Sequence, residues 1–206
     1  MERTNAVELP PPVLDADTSV LGVMADRRSR RSLAGESLSL DDLGVLCWAA
    51  QGVSDEAEGF RTAPSAGATY PLSLVVVVGE DAVSRVDAGV YRYDPAEHGL
   101  RQTRAGDLQA DLQEACLDQS WVGDAPVDLV LTARPERTAR QYGDRGRERY
   151  VPIEVGHAGQ NVYLAAEALG YGTVNVGAFD DEAVGDIAGV ADDEYPMAVY
   201  PVGVPR

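Results

Sequence analysis

Residues 27–33, RRSRRSL, set Arg27, Arg28, Arg30 and Arg31 around Ser29. Crowded guanidiniums repel, at about 0.7 kcal/mol for each pair about 6 Å apart even in the dielectric of water, so this segment calls for negative charge. The chain's own carboxylates are one source. A phosphate is the other: arginine forks match its oxygens, the Ser29 hydroxyl adds a donor, and each charge-assisted hydrogen bond is worth roughly 1.5–3 kcal/mol. Two further segments have the composition of ligand-facing backbone. RTAPSAGATYPL (61–72) runs through Pro64, Ser65, Ala66 and Gly67, where missing side chains would let the main chain approach a flat ring system, or would simply make a turn. NVGAFDD (175–181) puts Gly177 and Ala178 where a strand gives way to a helix, so that amide N–H groups can point at a ligand, or serve an ordinary loop.

Other marks carry less chemistry. His157 sits alone on a helical pattern, as a packed core histidine would. GYGTVNVG (170–177) lacks the GxGxxG spacing and follows a helix, so Gly170 and Gly172 read as a helix stop and not as a dinucleotide fingerprint. Gln119, two residues before Trp121, reads as a polar contact at a helix end that could also touch a ligand edge. Cys47 and Cys116 stand in helical segments with no CxxC or Cys/His cluster beside them, so no metal site and no disulfide is expected.

These residues need a scaffold. Residues 1–17, with Pro10, Pro11 and Pro12, predict an extended arm, followed by one domain over 18–206. A helix is expected over 18–28 with Val20, Leu21, Met24 and Ala25 on one face, and another over 39–52, opened by a Ser39/Asp42 capping box and closed at Gly52. LSLVVVVG (72–79) and PVDLVLTA (126–133) read as strands covered on both faces, and 89–103 as a hairpin turning at DPAEHG. Helices follow near 107–118, 150–172 and 180–189, with strands at 173–179 and 196–203. Small residues on several faces of the 150–172 pattern predict a central helix buried nearly all round. The hairpin argues against a doubly wound parallel sheet, so the expectation is α+β with helices on both faces.

Charge narrows the function. The formal net charge is −17, from 34 Asp and Glu against 17 basic residues, every one of them arginine. Such a surface repels nucleic acid and anionic membrane, and no apolar run approaches the roughly 20 residues needed to cross a bilayer. A cytoplasmic protein is expected. Dense carboxylate without lysine suggests a halophilic protein, whose self-repulsion molar salt would screen with a Debye length of about 3 Å.

Taken together, RRSRRS (27–32), LCWAAQG (46–52), RTAPSAGATYPL (61–72), VYRYDPAEHGL (90–100), YGDRGRERY (142–150), EVGHAGQN (154–161) and NVGAF (175–179) resemble the nitroreductase superfamily, most closely its SagB-type dehydrogenase branch, over roughly 18–206. The resemblance implies an FMN-dependent oxidoreductase with a mostly antiparallel central sheet and a long helix at a homodimer interface. It implies that Arg27, Arg28 and Ser29 grip the FMN phosphate and that Arg31 lies by the N1/C2 edge of the flavin, whose pyrimidine edge is then the ligand edge that Gln119 could touch. Pro64, Ser65, Ala66 and Gly67 would lie against the isoalloxazine, from the partner subunit. Gly177 and Ala178 would donate to N5 and O4, and Arg206 would be a last phosphate contact. NAD(P)H is the implied co-substrate, and a nitro- or quinone-like small molecule the acceptor, with hydride passing through flavin N5. Tyr142 is the one implied catalytic residue. Relatives that oxidise peptide azolines carry Lys-Tyr there, whereas this chain has Gln141, which cannot act as a general base near neutral pH. A SagB-type peptide azoline dehydrogenase, a non-catalytic scaffold in a peptide-modifying assembly, and a flavin-free binder of a phosphorylated metabolite remain as alternative readings.

Overall fold

The structure, a computed structural model, describes residues 6–13 and 18–206. Its centre is an eight-stranded sheet in which every pairing between named strands is antiparallel. The strands are β1 (Ala6–Glu8), β2 (Leu33–Ala34), β5 (Leu72–Val78), β6 (Gly89–Asp94), β7 (Gly99–Ala105), β8 (Val127–Ala133), β9 (Gly172–Thr173) and β10 (Tyr195–Pro205). Their order is β1-β7-β6-β5-β8-β10-β2, with β9 against β10; β3 (Val53–Asp55) and β4 (Phe60–Arg61) make a separate ribbon. The α+β expectation holds.

The sheet is covered on both faces because β5 and β8 are apolar on both. Leu72, Leu74, Val76 and Val78 face one core with Leu129 and Leu131, while Val75 and Val77 face the other with Val130. Helices α2 (Leu40–Gln51) and α6 (Val151–Ala168) cover the first; α3 (Gln109–Ala115), α4 (Ser120–Gly123) and α7 (Asp181–Ala188) cover the second. Two further helices are α1 (Val20–Asp26) and α5 (Glu136–Tyr142). Half of the expected capping box forms: Ser39 Oγ accepts from the Asp42 N–H at 3.0 Å, while the Asp42 carboxylate takes the Ser39 hydroxyl, at 2.7 Å, in place of its backbone N–H.

Register defines two ends of the sheet. Leu72, Ala133 and Tyr195 pair at one end, and Val78, Val127 and Val202 at the other. Seven residues of β8 separate them, about 20 Å at the rise of a strand. Helix α6 runs the same span, its first turn at the Leu72 end and its last turn against β9 and the arginine segment.

Several expectations need correcting. The long helix ends at Ala168, where Gly170 adopts φ +83 and Tyr171 N–H returns to Ala166 O. It is preceded by a π turn over Gly146–Tyr150. It is not buried all round: Pro152, Ile153, Gly156, His157 and Gln160 form an open face, so His157 is exposed and not in the core. The apolar side of α1 is likewise open at Val20, Leu21 and Met24. Residues 173–179 form no full strand; beyond Thr173 only Val176 bridges the sheet, to Val199. The described part of the expected arm is an edge strand, pairing Ala6–Glu8 with Gly99–Arg101, and Leu9 beyond it is buried.

Candidate functional site

At the Val202 end, Arg27 closes α1 and lays its guanidinium 5.1 Å from the centre of the Tyr163 ring. Ser29 Oγ shares a 3.0 Å hydrogen bond with Tyr163 Oη, which accepts from the Asn175 N–H at 2.7 Å. Arg28 folds back on the carbonyls of Ala25 and Arg27. Arg31 stacks 5.7 Å from the Trp121 ring, and the Arg206 N–H reaches Ser32 O, so the chain end lies beside the arginine segment. Arg30 behaves differently. It pairs with Glu167 of α6 at 2.9 Å, so one of the four arginines answers the chain's own carboxylate.

The 175–179 loop closes this group. Gln119, the residue before α4, donates to Cys116 O at 2.7 Å and to Ala178 O at 2.9 Å, fixing the loop by a side chain. Gly177 and Ala178 are exposed, just ahead of the Asp180 cap of α7, and among the described residues no protein acceptor takes their N–H groups. Among the described residues three buried polar atoms in the same region lack partners, Arg30 Nε, Trp121 Nε1 and Thr173 Oγ1, the last on the residue that bridges Ser29. Buried donors without acceptors are costly, and a ligand would relieve them.

The second group sits at the opposite end of the sheet. Pro64 and Ser65 lead into a 3-10 turn over Ala66–Ala68, in which Gly67 takes φ +60. A Cβ on Gly67 would stand 2.5 Å from Tyr142 Oη and 2.8 Å from Gln141 Oε1. Tyr142 stacks edge-on against Tyr150, with centroids 5.0 Å apart. The sequence-predicted residues therefore fall into two sets. Arg27, Arg28, Ser29, Arg31, Gln119, Gly177, Ala178 and Arg206 gather at one end, while Pro64, Ser65, Ala66, Gly67 and Tyr142 gather at the other.

The family profile described as Nitroreductase family matches residues 24–204. The chain belongs to the nitroreductase family. A relative from Methanocaldococcus jannaschii, assigned by name to the nitroreductases, is 46% identical over 181 residues, 88% of each chain. The crystal structure of a protein from Ralstonia eutropha JMP134, likewise assigned by name to the nitroreductases, superposes with a TM-score of 0.84 at 30% identity, covering 98% of this chain and 90% of that one. The trifolitoxin-processing protein TfxB of Rhizobium leguminosarum bv. trifolii is 33% identical over 144 residues, which is 65% of this chain and 38% of that protein.

Within this nitroreductase-family fold, one residue near the second set was missed by sequence reasoning. Glu154, in the first turn of α6, is 2% exposed, and among the described residues neither carboxyl oxygen has a hydrogen-bond partner. Burial pushes it from 4.5 to about 7, against the opposing pull of the Ser65 hydroxyl, close but short of a formed hydrogen bond, and of Arg61. A signal existed: helical spacing puts position 154 in the buried row with Val151, Val155, Ala158 and Val162.

Proposed function

We propose that the chain is an FMN-dependent oxidoreductase, acting as a homodimer, that moves electrons between a nicotinamide nucleotide and a small nitro- or quinone-like acceptor, or takes them from an organic donor. The observation that carries the reading is the arginine end of the sheet. There Arg27, Arg28, Ser29, Arg31 and Arg206 offer cationic and hydroxyl donors suited to a phosphate, beside orphaned donors at Trp121 Nε1 and Thr173 Oγ1. This donor set fits the phosphate and polar edge of FMN. When bound, FMN supplies two-electron chemistry at the hydride level. The chain's own part is placement: Gln119 orients the Gly177–Ala178 amides, Tyr163 holds Ser29, and Arg31 supplies positive charge beside Trp121.

The separation of the two sets supports the homodimer. Glu154 and Tyr163 lie nine residues apart on α6, about 14 Å along the axis. A two-fold axis through the open face at Ile153, Gly156, His157 and Gln160 would lay two α6 helices antiparallel. Pro64–Gly67 and Tyr142 of one copy would then approach the arginine end of the other. In such a site Tyr142 donates or orients at its hydroxyl, and Glu154 holds a proton beneath Ser65.

A second reading is favoured by Gln141, whose amide lies beside Gly67 and Tyr142 where a general base would be wanted. The partial likeness to the trifolitoxin-processing protein keeps a peptide azoline dehydrogenase as an alternative, and the loss of that base at Gln141 favours over it a non-catalytic flavin-fold scaffold in a peptide-modifying assembly. The test is to purify the chain in about 2 M salt, record visible absorption, release the chromophore by heat, and determine mass in solution. Bound FMN bleached by NADH or NADPH supports the oxidoreductase. FMN that neither nucleotide nor dithionite-coupled acceptors can cycle supports the scaffold. A colourless protein that refuses added FMN overturns the flavin reading, and a monomer that keeps FMN overturns the shared site.

A further inference from the structure

A different group of arginines converges at the Leu72 end of the sheet. Arg61, Arg92, Arg101, Arg134 and Arg137, from four strands or strand ends and one helix, line a single cleft of about 320 Å3. Two have carboxylate partners: Arg92 and Arg134 both meet the buried Glu194 at 2.8 Å, and Arg134 meets Asp193 at 3.1 Å. Burial pushes the Glu194 carboxyl up, but hydrogen bonds from Arg92 and Thr132 and the charges of both arginines hold it below its ordinary value. Among the described residues, Arg61, Arg101 and Arg137 make no ion pair. In a chain with twice as many carboxylates as arginines, three unpaired guanidiniums in one cleft are a departure that self-neutralisation does not explain.

Two further observations point to a missing anion. Arg92 and Arg101 stand directly opposite each other on β6 and β7; Glu194 answers Arg92, and among the described residues no ion pair answers Arg101, so the like-charge cross-strand pair is only half compensated. Arg61 is half-buried, held by Gln51 Oε1 at 2.8 Å and stacked 4.8 Å from the Tyr70 ring, and burial lowers its pKa. Five guanidiniums against Asp94, Asp193 and Glu194 leave a surplus of two positive charges with Glu154 protonated, and of one with it ionised.

We propose that this cleft is a second anion site, separate from the Arg27–Arg31 segment, that takes a phosphoryl group. The chemistry favours phosphate over carboxylate. A carboxylate offers two coplanar oxygens, which one guanidinium fork satisfies; a phosphate monoester offers three oxygens and up to two charges to forks arriving from β4, β7 and α5. Gln51, Ser73, Tyr93 and Pro95 bound the space around them, room for the remainder of an ester.

The test is isothermal titration of the FMN-loaded protein, desalted of free FMN and at constant chloride, with inorganic phosphate. One saturable site per chain is expected beyond FMN. Arg101→Gln and Arg137→Gln should each weaken it roughly ten- to a hundred-fold, the loss of one charge-assisted contact, while Arg27→Gln leaves it unchanged. Arg101→Gln should also leave the phosphate-free unfolding midpoint level or raise it, because it removes the repulsion with Arg92; a purely structural arginine would lower it. NADPH preferred over NADH, with the preference lost in Arg101→Gln, would assign the phosphoryl group to a phosphorylated dinucleotide. Equal affinity for both, with glycerol phosphate bound as well, would assign it to a free phosphoester. No saturable binding, or binding lost in Arg27→Gln and kept in Arg101→Gln, would overturn the site.

Discussion

Replacing Glu154 by glutamine tests the energetics of the Pro64–Gly67 end. The carboxyl is raised from 4.5 to about 7 by burial, and at about 1.36 kcal/mol per unit this corresponds to roughly 3 kcal/mol between its protonated and ionised states. Discounted for solvent screening, about 2 kcal/mol of this is expected to show in stability. The folded-state value lies above the unfolded one, so the contribution is fully favourable below about pH 4.5 and is lost as pH rises through about 7. Glu154→Gln keeps the shape and removes the titration. The variant should match the parent near pH 4.5 and exceed it by about 2 kcal/mol at pH 8. Urea unfolding of both proteins from pH 4.5 to 8.5 at one high salt concentration measures the difference directly. Stability curves that stay parallel across that range would refute the reasoning, since they would mean that Glu154 ionises in the folded chain as easily as in water.

Asp128, fully buried in β8 with both oxygens unpartnered, is raised by burial in the same direction, so its contribution also fades as pH rises; Asp128→Asn should raise the unfolding midpoint by a few degrees at pH 8 and by less at pH 4.5, checked by calorimetry. Gly67→Ala forces a side chain onto φ +60 and toward Tyr142 Oη, costing about 1 kcal/mol and displacing the tyrosine, to be read from chemical unfolding together with turnover. The thermal midpoint should climb from dilute buffer to molar chloride as the −17 surface is screened; an unchanged midpoint would count against a halophilic origin of the composition.

How much of this could be read beforehand depended on whether a signal was local. Strands β5 and β8 announce themselves as nearly continuous apolar runs, and α2 carries its cap and its stop in the residues that flank it, Ser39 and Gly52. The arginine segment was legible because its charges are adjacent in sequence. The pairing of Arg30 with Glu167 was not, since it joins residues 137 positions apart. The five arginines of the second cleft are spread from β4 to α5 and only topology collects them. Asp128 was hidden by its setting: in a strand buried on both faces, alternation no longer says which positions are wet. The open face of α6 was misread because small residues, which permit burial, equally permit a close approach by another helix.

The placement of the two residue sets at opposite ends of α6 has a genetic corollary. If each site draws one end from each copy, a chain damaged at Arg27 and Ser29 and a chain damaged at Ser65 and Gly67 are both inactive as pure dimers. Mixed, they rescue one another. A hybrid dimer concentrates both lesions in one site and leaves the other intact, so co-expression of two dead alleles would restore up to half of the activity of each hybrid molecule. Two alleles damaged at the same end could never do so. The length of one helix would thus sort the mutations of this chain into two complementation groups.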